Sequence, residues 1–276
     1  MNNLLRASFS KLKRNKLFLL VIVASAIWSI FITVLQIYYS QIYTDVSYRM
    51  NSIFFGYCYS VGIISSIFSS LHIGTEYSSG AIRNKLIVGH NRSAIYLSNL
   101  ITVFVTSLLS CIIYLVIASV IGFPFLGSLS VGVKDTVIIL ICSIFMILAF
   151  SSIFTMLSMV NHNKAVNAII SVLLAVLLMY LASVIRQILA AEPTIPTGYE
   201  TTASGELIMG STIPNPRYLT GIKRDLFELV YDFLPSGQCE QFMKAQYSVF
   251  MPLYSVAITV FFSIIGIGVF KKKNIK

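Results

Sequence analysis

Apolar runs as long as a membrane is thick constrain this chain more than any other feature. Residues 17–37, 53–73, 96–121, 136–160, 165–185 and 250–270 form six such runs, and none contains Asp, Glu, Lys or Arg. An α-helix needs roughly 20 residues to cross roughly 30 Å of hydrocarbon. Charged residues make up 11% of the chain and hydrophobic ones 57%, whereas a soluble domain carries about 25% charged residues. That leaves too little polar surface to cover a water-soluble globule. The short alternating segments of a β-barrel are absent. The expected fold is therefore all-α and integral to the membrane, with six transmembrane helices in one domain spanning residues 1–276.

The first run imitates a signal peptide, with a basic start and Ala24-Ser25-Ala26 as a cleavage-like site. It continues through Ile37, too long for a cleaved apolar region, and reads as an uncleaved helix. The second run carries Ser60, Ser65, Ser66, Ser69 and Ser70, a small-residue face suited to close helix packing. Gly122, Pro124 and Gly127 mark a tight turn after the third run. Cys58, Cys111 and Cys142 lie inside apolar runs, and Cys239 stands alone in a polar stretch, so no disulfide framework or metal spacing follows.

Three polar stretches interrupt the runs. Residues 1–16 are basic and amphipathic, with Leu5, Phe9 and Leu12 at helical spacing among Arg6, Lys11, Lys13, Arg14 and Lys16. This suits either a helix on an anionic leaflet or a solvated flank that orients the first span. Residues 74–95 hold Glu76, Arg83, Lys85 and Arg92. Here Ile82, Leu86 and Ile87 are expected on one side of a short helix and Arg83, Asn84 and Lys85 on the other, punctuated by Gly74, Gly80 and Gly89. Residues 186–248 are longest. Their first half, rich in Thr, Gly, Pro and Glu, reads as loop. Ile222 to Leu234 reads as an amphipathic helix stopped by Pro235 and Gly237.

Six spans put both termini on one side. With that side cytosolic, it holds 13 of the 20 Lys and Arg residues and only one of the 10 acids, Glu76. The positive-inside rule favours this orientation. The net charge of +10 then reflects membrane orientation, and nothing points to nucleic acid. The spans' lack of ionisable groups counts against a proton-driven carrier. No Ser-His-Asp set can be assembled within them. His72, His90 and His162 lack the spacing of metal ligands, and no G-x-x-x-x-G-K-[ST] phosphate loop is present. The chain thus offers no catalytic, cofactor or metal site of its own. Active transport would need nucleotide hydrolysis on another polypeptide docked at residues 1–16 or 74–95.

A basic N-terminal helix, the series Glu76, Gly80, Ala81, Ile82, Arg83, Asn84, Lys85 and Leu86 between spans 2 and 3, and a long segment between spans 5 and 6 together resemble the permease subunits of bacterial ABC-2 type exporters. Ala81 stands where that family often has Thr. The resemblance implies that residues 74–95 form a cytosolic coupling loop whose helix, Gly80 to Ile87, is seated on a separate ABC ATPase, which carries ATP and Mg. Glu76, Gly80, Ile82, Arg83, Asn84, Lys85 and Leu86 would transmit its closure, with Glu76, Arg83 and Lys85 in charge pairs at the rim. It further implies a second permease chain, identical or similar, in the bacterial cytoplasmic membrane, and export by alternating access. Ser65, Ser69, Asn167 and Ser171 are expected either to line the pathway or to glue helices together. An uncharged pathway suits an amphipathic or hydrophobic cargo such as an antimicrobial peptide, drug or lipid. The competing reading is a membrane immunity or sensor protein that binds a peptide through residues 186–248.

Overall fold

The computed structural model describes residues 2–42, 47–161, 163–197, 199–201, 207–209 and 212–274. Asp45, His162 and the side chain of Arg49 lie outside them. In chain order the elements are α1 (Asn2–Lys13), α2 (Lys16–Ile42), α3 (Ser47–Phe54), α4 (Tyr57–Ser78), α5 (Ala81–Ile87), α6 (Arg92–Leu126), α7 (Val133–Val160) and α8 (Lys164–Leu189). Four short strands follow, β1 (Thr194–Pro196), β2 (Tyr199–Thr201), β3 (Leu207–Met209) and β4 (Thr212–Pro214), then α9 (Ile222–Phe233), α10 (Pro235–Met243) and α11 (Met251–Lys272). Among the described residues, six helices are long and apolar enough to cross a membrane, and they follow the expected runs, except that the second run is shared between the end of α3 and α4, with a break at residues 55–56, and α11 begins at Met251. The reason is that hydrocarbon offers no partner to a free backbone N–H or C=O, so a spanning segment must satisfy its own.

Helices α4 and α7 are the inner pair. In their most apolar windows 61% of residues are buried, against 22% for α2, α8 and α11. Helix α4 touches α2, α6, α7, α8 and α10, while α11 lies along α7 and α2 along α6. Small side chains permit this crowding. Ser65, Ser66, Ser69 and Ser70 are fully buried on α4. Gly62 lets the Phe150 ring of α7 approach, and at Gly74 an added Cβ would lie 2.8 Å from Lys164 Cγ on α8. Gly266 of α11 faces the Tyr96 ring of α6, with no space for a Cβ between them.

Three expectations are corrected. Helix α6 does not end at residue 121 but runs on to Leu126, with Pro124 inside its last turns. A proline there forfeits one i→i−4 bond, and the helix stops only at Gly127, whose φ is 77°. Gly122 serves packing instead of a turn, since a Cβ there would lie 3.0 Å from Met50 Sδ. Residues 194–214 are not simply loop. β1 pairs antiparallel with β4, Ile195 opposite Ile213, and β2 pairs with β3, Glu200 opposite Ile208. Finally, Pro235 does not close the helical segment. It stands in the first turn of α10, where its missing N–H costs nothing.

If the α6–α11 crossing depends on Gly266, Gly266→Ala lowers the thermal unfolding midpoint of the purified protein by the equivalent of about 1–3 kcal/mol of overpacking. Gly268→Ala, where nothing lies within 4 Å, leaves the midpoint unchanged.

Candidate functional site

Helix α1, the last turn of α11 and the 74–95 stretch gather at one end of the bundle. Helix α4 ends at a turn in which Ser79 N–H donates to the Thr75 carbonyl (3.0 Å) and Gly80 N–H to that of Tyr77 (3.1 Å). Gly80 has φ 69°, a left-handed conformation open to glycine. Helix α5 follows and closes at Gly89 (φ 91°), where His90 N–H reaches the Lys85 carbonyl at 3.1 Å, satisfying an otherwise orphaned helix-end acceptor. Asn91 then caps α6, its Oδ1 accepting from Ser93 N–H at 3.2 Å.

Glu76 is 2% exposed and does not present its charge outward as expected. Lys85 Nζ sits 2.8 Å from both of its oxygens, and Lys11 Nζ is 3.6 Å away. One carboxylate thereby ties α4, α5 and α1 together. A buried carboxylate needs such partners, because unpaired burial costs several kcal/mol. Beside it, Asn15 Nδ2 lies 3.4 Å from His72 Nδ1, fastening the α1–α2 turn to α4.

The apolar face of α5 is also corrected. Ile82 is fully buried in a cluster with Leu4, Leu12, Phe68, Ile73, Ile95 and Phe270, against which Leu86 packs in part. Ile87 and Val88 are instead 73% and 76% exposed. The helix turns about 100° per residue, so residues 82 and 86 share a face while 87 lies about 140° from 82. Arg83 and Asn84 are exposed, Gly80 sits half-exposed at the turn, and Lys85 faces Glu76. The outward ridge is therefore Arg83, Asn84, Ile87 and Val88. On α1, Leu4 and Leu12 are buried and Ser8 bonds Ser98 at 3.0 Å, while Arg6, Lys11 and Lys13, and Arg14 just after the helix, stay exposed.

Two further cations, Arg92 of the 74–95 stretch and Lys273 beyond α11, complete this end. Arg92 Nη1 donates to the carbonyls of Phe270 (2.7 Å) and Lys273 (2.6 Å), capping α11. Lys273 Nζ donates to the carbonyls of Met159 and Val160, both at 2.8 Å, capping α7, and lies 4.6 Å from the centre of the Tyr77 ring. Burial pulls the Lys273 ammonium down to about 8, so it remains charged at pH 7. Positive charge at a helix C-terminus meets the negative end of the dipole. The sequence signal was present as the basic run 271–273, but which carbonyls it would meet was not.

Ser65, Ser69, Asn167 and Ser171 all lie between helices. Ser65 bonds Ser107 at 2.8 Å, and Ser158 of α7 joins Ser69 (2.8 Å) to Asn167 (2.9 Å). Ser171 Oγ is buried without a partner among the described residues. An apolar groove of about 590 Å³ opens instead between α2, α4 and α8, lined by Trp28, Tyr59, Ile63, Ile67 and Met179 among others.

At the opposite end α9 and α10 form a tight hairpin. The stripe Ile222, Leu226, Leu229, Val230 and Phe233 of α9 is exposed, whereas Pro235 to Glu240 and Phe242 of α10 are buried. Gln238 Nε2 donates to the Asp232 carbonyl (2.8 Å) and its Oε1 accepts from Ser255 (2.9 Å). Glu240 pairs with Arg186 of α8 at 2.8 Å and accepts from Tyr231 at 3.1 Å. Burial, with the nearby Glu240 carboxylate, pushes the Tyr231 phenol above its ordinary range. Among the described residues, no group of three His, Cys, Asp or Glu is placed to hold a metal ion.

Six helices of spanning length, a basic end built from α1 and a short α5, and a helical hairpin packed into the far end define a polytopic membrane domain. Residues 4–183, from α1 into the last third of α8, match the family model described as ABC-2 family transporter protein. The chain belongs to that family and is an ABC-2 type permease, a membrane component of ABC transport whose kind associates with an ABC ATPase. A search of curated proteins gave no match to it.

Lys85→Met, which leaves the Glu76 carboxylate only the half-exposed Lys11 ammonium 3.6 Å away, is expected to lower unfolding stability by about 2–3 kcal/mol, less than for a wholly dry and unpaired carboxylate. Glu76→Gln in the same chain restores most of the loss. Thermal unfolding of the two single variants and the double variant measures this, and additive losses would show that the pair does not hold the end together.

Proposed function

We propose that this permease works in the bacterial plasma membrane with its basic end and both termini in the cytosol, and that it exports an amphipathic or hydrophobic substrate by alternating access, driven by ATP hydrolysis on a separate ABC ATPase. The observation that carries the reading is the division of labour within residues 74–95. Glu76, Lys85, Ile82 and Leu86 bind α5 to its own bundle, while Arg83, Asn84, Ile87 and Val88 form a small apolar-and-basic ridge facing away from it. A push on that ridge reaches α4 directly, since Gly80 alone separates the α4 cap from α5. The concentration of cations at this end supports the orientation.

A second permease chain, the same or similar, faces the groove between α2, α4 and α8. Its apolar walls support a hydrophobic or amphipathic cargo such as a peptide, drug or lipid, because no buried charge would have to be matched there. Ser65 and Ser69 hold α4 to α6 and α7, and Asn167 holds α8 to α7; with Ser171 buried among these helices, all four would meet cargo only once the helices part. The chain itself supplies no nucleotide site; ATP and Mg belong to the partner.

Mild-detergent purification from native membranes, with the co-purifying chains identified by mass spectrometry, tests the reading. A stoichiometric ATPase is expected. Ile87→Asp with Val88→Asp reduces its recovery at least tenfold, about 1.4 kcal/mol, without changing the permease's own unfolding midpoint. Ile82→Ala instead lowers that midpoint by about 2–4 kcal/mol, as for a buried Ile. A chain that purifies alone, with no ATPase recovered, would overturn the exporter reading and favour peptide reception through residues 186–248.

A further inference from the structure

We infer that the chain holds an anionic phospholipid at the end of the bundle opposite α1 and α5, with the lipid's phosphodiester on Arg217 and its acyl chains along α8. The inference rests on α8 crossing the membrane and is independent of the exporter reading. A pocket of about 400 Å³ lies where the last two turns of α8 meet the turn at Arg217, and its walls are Val184, Gln187, Ile188, Ala191 and Arg217. The turn is built to hold that guanidinium in place. Asn215 N–H donates to the Pro193 carbonyl at 2.9 Å and Asn215 Nδ2 to that of Glu192 at 2.8 Å, which ties the turn to the chain just beyond α8. Asn215 Oδ1 then accepts from Arg217 N–H at 2.9 Å. Pro214 and Pro216 flank Asn215 and stiffen the turn by fixing their own φ angles.

What adjoins the pocket selects the ligand. Leu173, Val176, Leu177, Tyr180 and Leu181 are exposed on α8. At about 100° per residue they share a face with residues 184, 187, 188 and 191, so one stripe runs from the middle of the helix into the pocket. That face turns away from the groove between α2, α4 and α8, to which α8 contributes Met179. A crossing of roughly 20 residues that begins near Lys164 leaves residues 184–191 at the level of lipid headgroups. An acyl chain on the stripe therefore brings its phosphodiester to Arg217, and a guanidinium can bind two phosphate oxygens at once. The other arginines at this end of α8 are committed. Arg186 pairs with Glu240 at 2.8 Å and Arg224 with Glu228 at 2.9 Å. Among the described residues, no carboxylate forms an ion pair with Arg217. Arginines on a protein surface are commonly just solvated, but solvation requires neither a pinned turn nor an apolar pocket. A free phosphate would leave the apolar walls unused.

The test uses the full-length protein with Trp28→Phe, which removes the one native tryptophan, and with Ala190→Trp beside the pocket as reporter. The protein is reconstituted in phosphatidylcholine vesicles with increasing fractions of phosphatidylglycerol, with bromine on the acyl chains of one lipid or the other. Bromine quenches tryptophan on contact, so the two quenching curves give the relative affinity of the two lipids at this position. Phosphatidylglycerol is expected to be preferred about fivefold. Arg217→Gln brings the ratio to one, Arg217→Lys retains part of the preference, and Lys13→Gln, at the basic end, leaves it unchanged. Excess glycerol phosphate, which carries the headgroup's charge without its chains, does not relieve the quenching. Leu181→Trp, on the same stripe, is the second reporter should the Ala190→Trp protein fail to fold. Equal affinity for the two lipids in the parent, a preference that survives Arg217→Gln, or displacement by glycerol phosphate would overturn the inference.

Discussion

Close approach to α4 is the constraint on which the rest of the structure depends. Lipid tails are as apolar as leucine, so a bundle in a membrane gains little from burying apolar surface and relies on packing and interhelical hydrogen bonds. Helix α4 meets this with serines and glycines. Ser65 and Ser69 reach hydroxyls on α6 and α7, and Gly62 and Gly74 admit Phe150 and Lys164. Ser66 and Ser70 return their hydroxyls to carbonyls of their own helix, so they add no width and leave no orphaned donor. A larger residue at these positions would separate α4 from its neighbours and remove the contacts that place both of its ends.

Those two ends are built on different chemistry. At the basic end, cations cap helix C-termini and one carboxylate collects two lysines. At the far end, the α9–α10 hairpin is locked by neutral and mixed bonds, Gln238 to Ser255 and to the Asp232 carbonyl, and by the Arg186–Glu240 pair. Surface ion pairs in water contribute little, but Glu240 is 5% exposed. Its pairing is therefore a condition for placing α10 inside the bundle at all.

The spans were legible because a 20-residue uncharged run has one physical solution in a membrane. The position of the short helix after Gly80 was legible too, from its glycines and its charge. Its orientation was not. Over seven residues Ile82, Leu86 and Ile87 look like one stripe, yet only the cluster of Leu4, Leu12 and Phe270 decides which of them turns inward. The partner of Glu76 was hidden for a similar reason. Lys85 lies nine residues on, across a reversal in the chain, and Lys11 lies in another helix. Helix α10 was missed because Pro235 and Gly237 are ambiguous. The same proline that stops one helix can start the next, and nothing in the sequence near Gln238 and Glu240 shows that Ser255, Arg186 and Tyr231 supply the bonds that let them be buried. At Gly237 a Cβ would collide with the Tyr231 carbonyl, so that glycine permits the hairpin instead of ending a helix.

This arrangement bears on how force could travel. Helix α5 is too short to hold itself in water, since isolated helices need roughly 12–15 residues; it is ordered by Ile82, Leu86 and the Lys85–Glu76 pair. Any load on its outward ridge is therefore borne by the same contacts that define it, and passes to α4 and α1 together. Helix α4 also carries Cys58 and Tyr59 at its other end, against α10 and the groove shared with α2 and α8. A displacement of α4 along or about its axis must thus disturb both the basic end and the hairpin. The Ser65 and Ser69 bonds to α6 and α7 resist it, each worth about 1 kcal/mol. Bonds of that size can be exchanged during a transport cycle, whereas removal of Glu76's partners would be far more costly. The physical division is between an end that must hold together and a central seam that can slip.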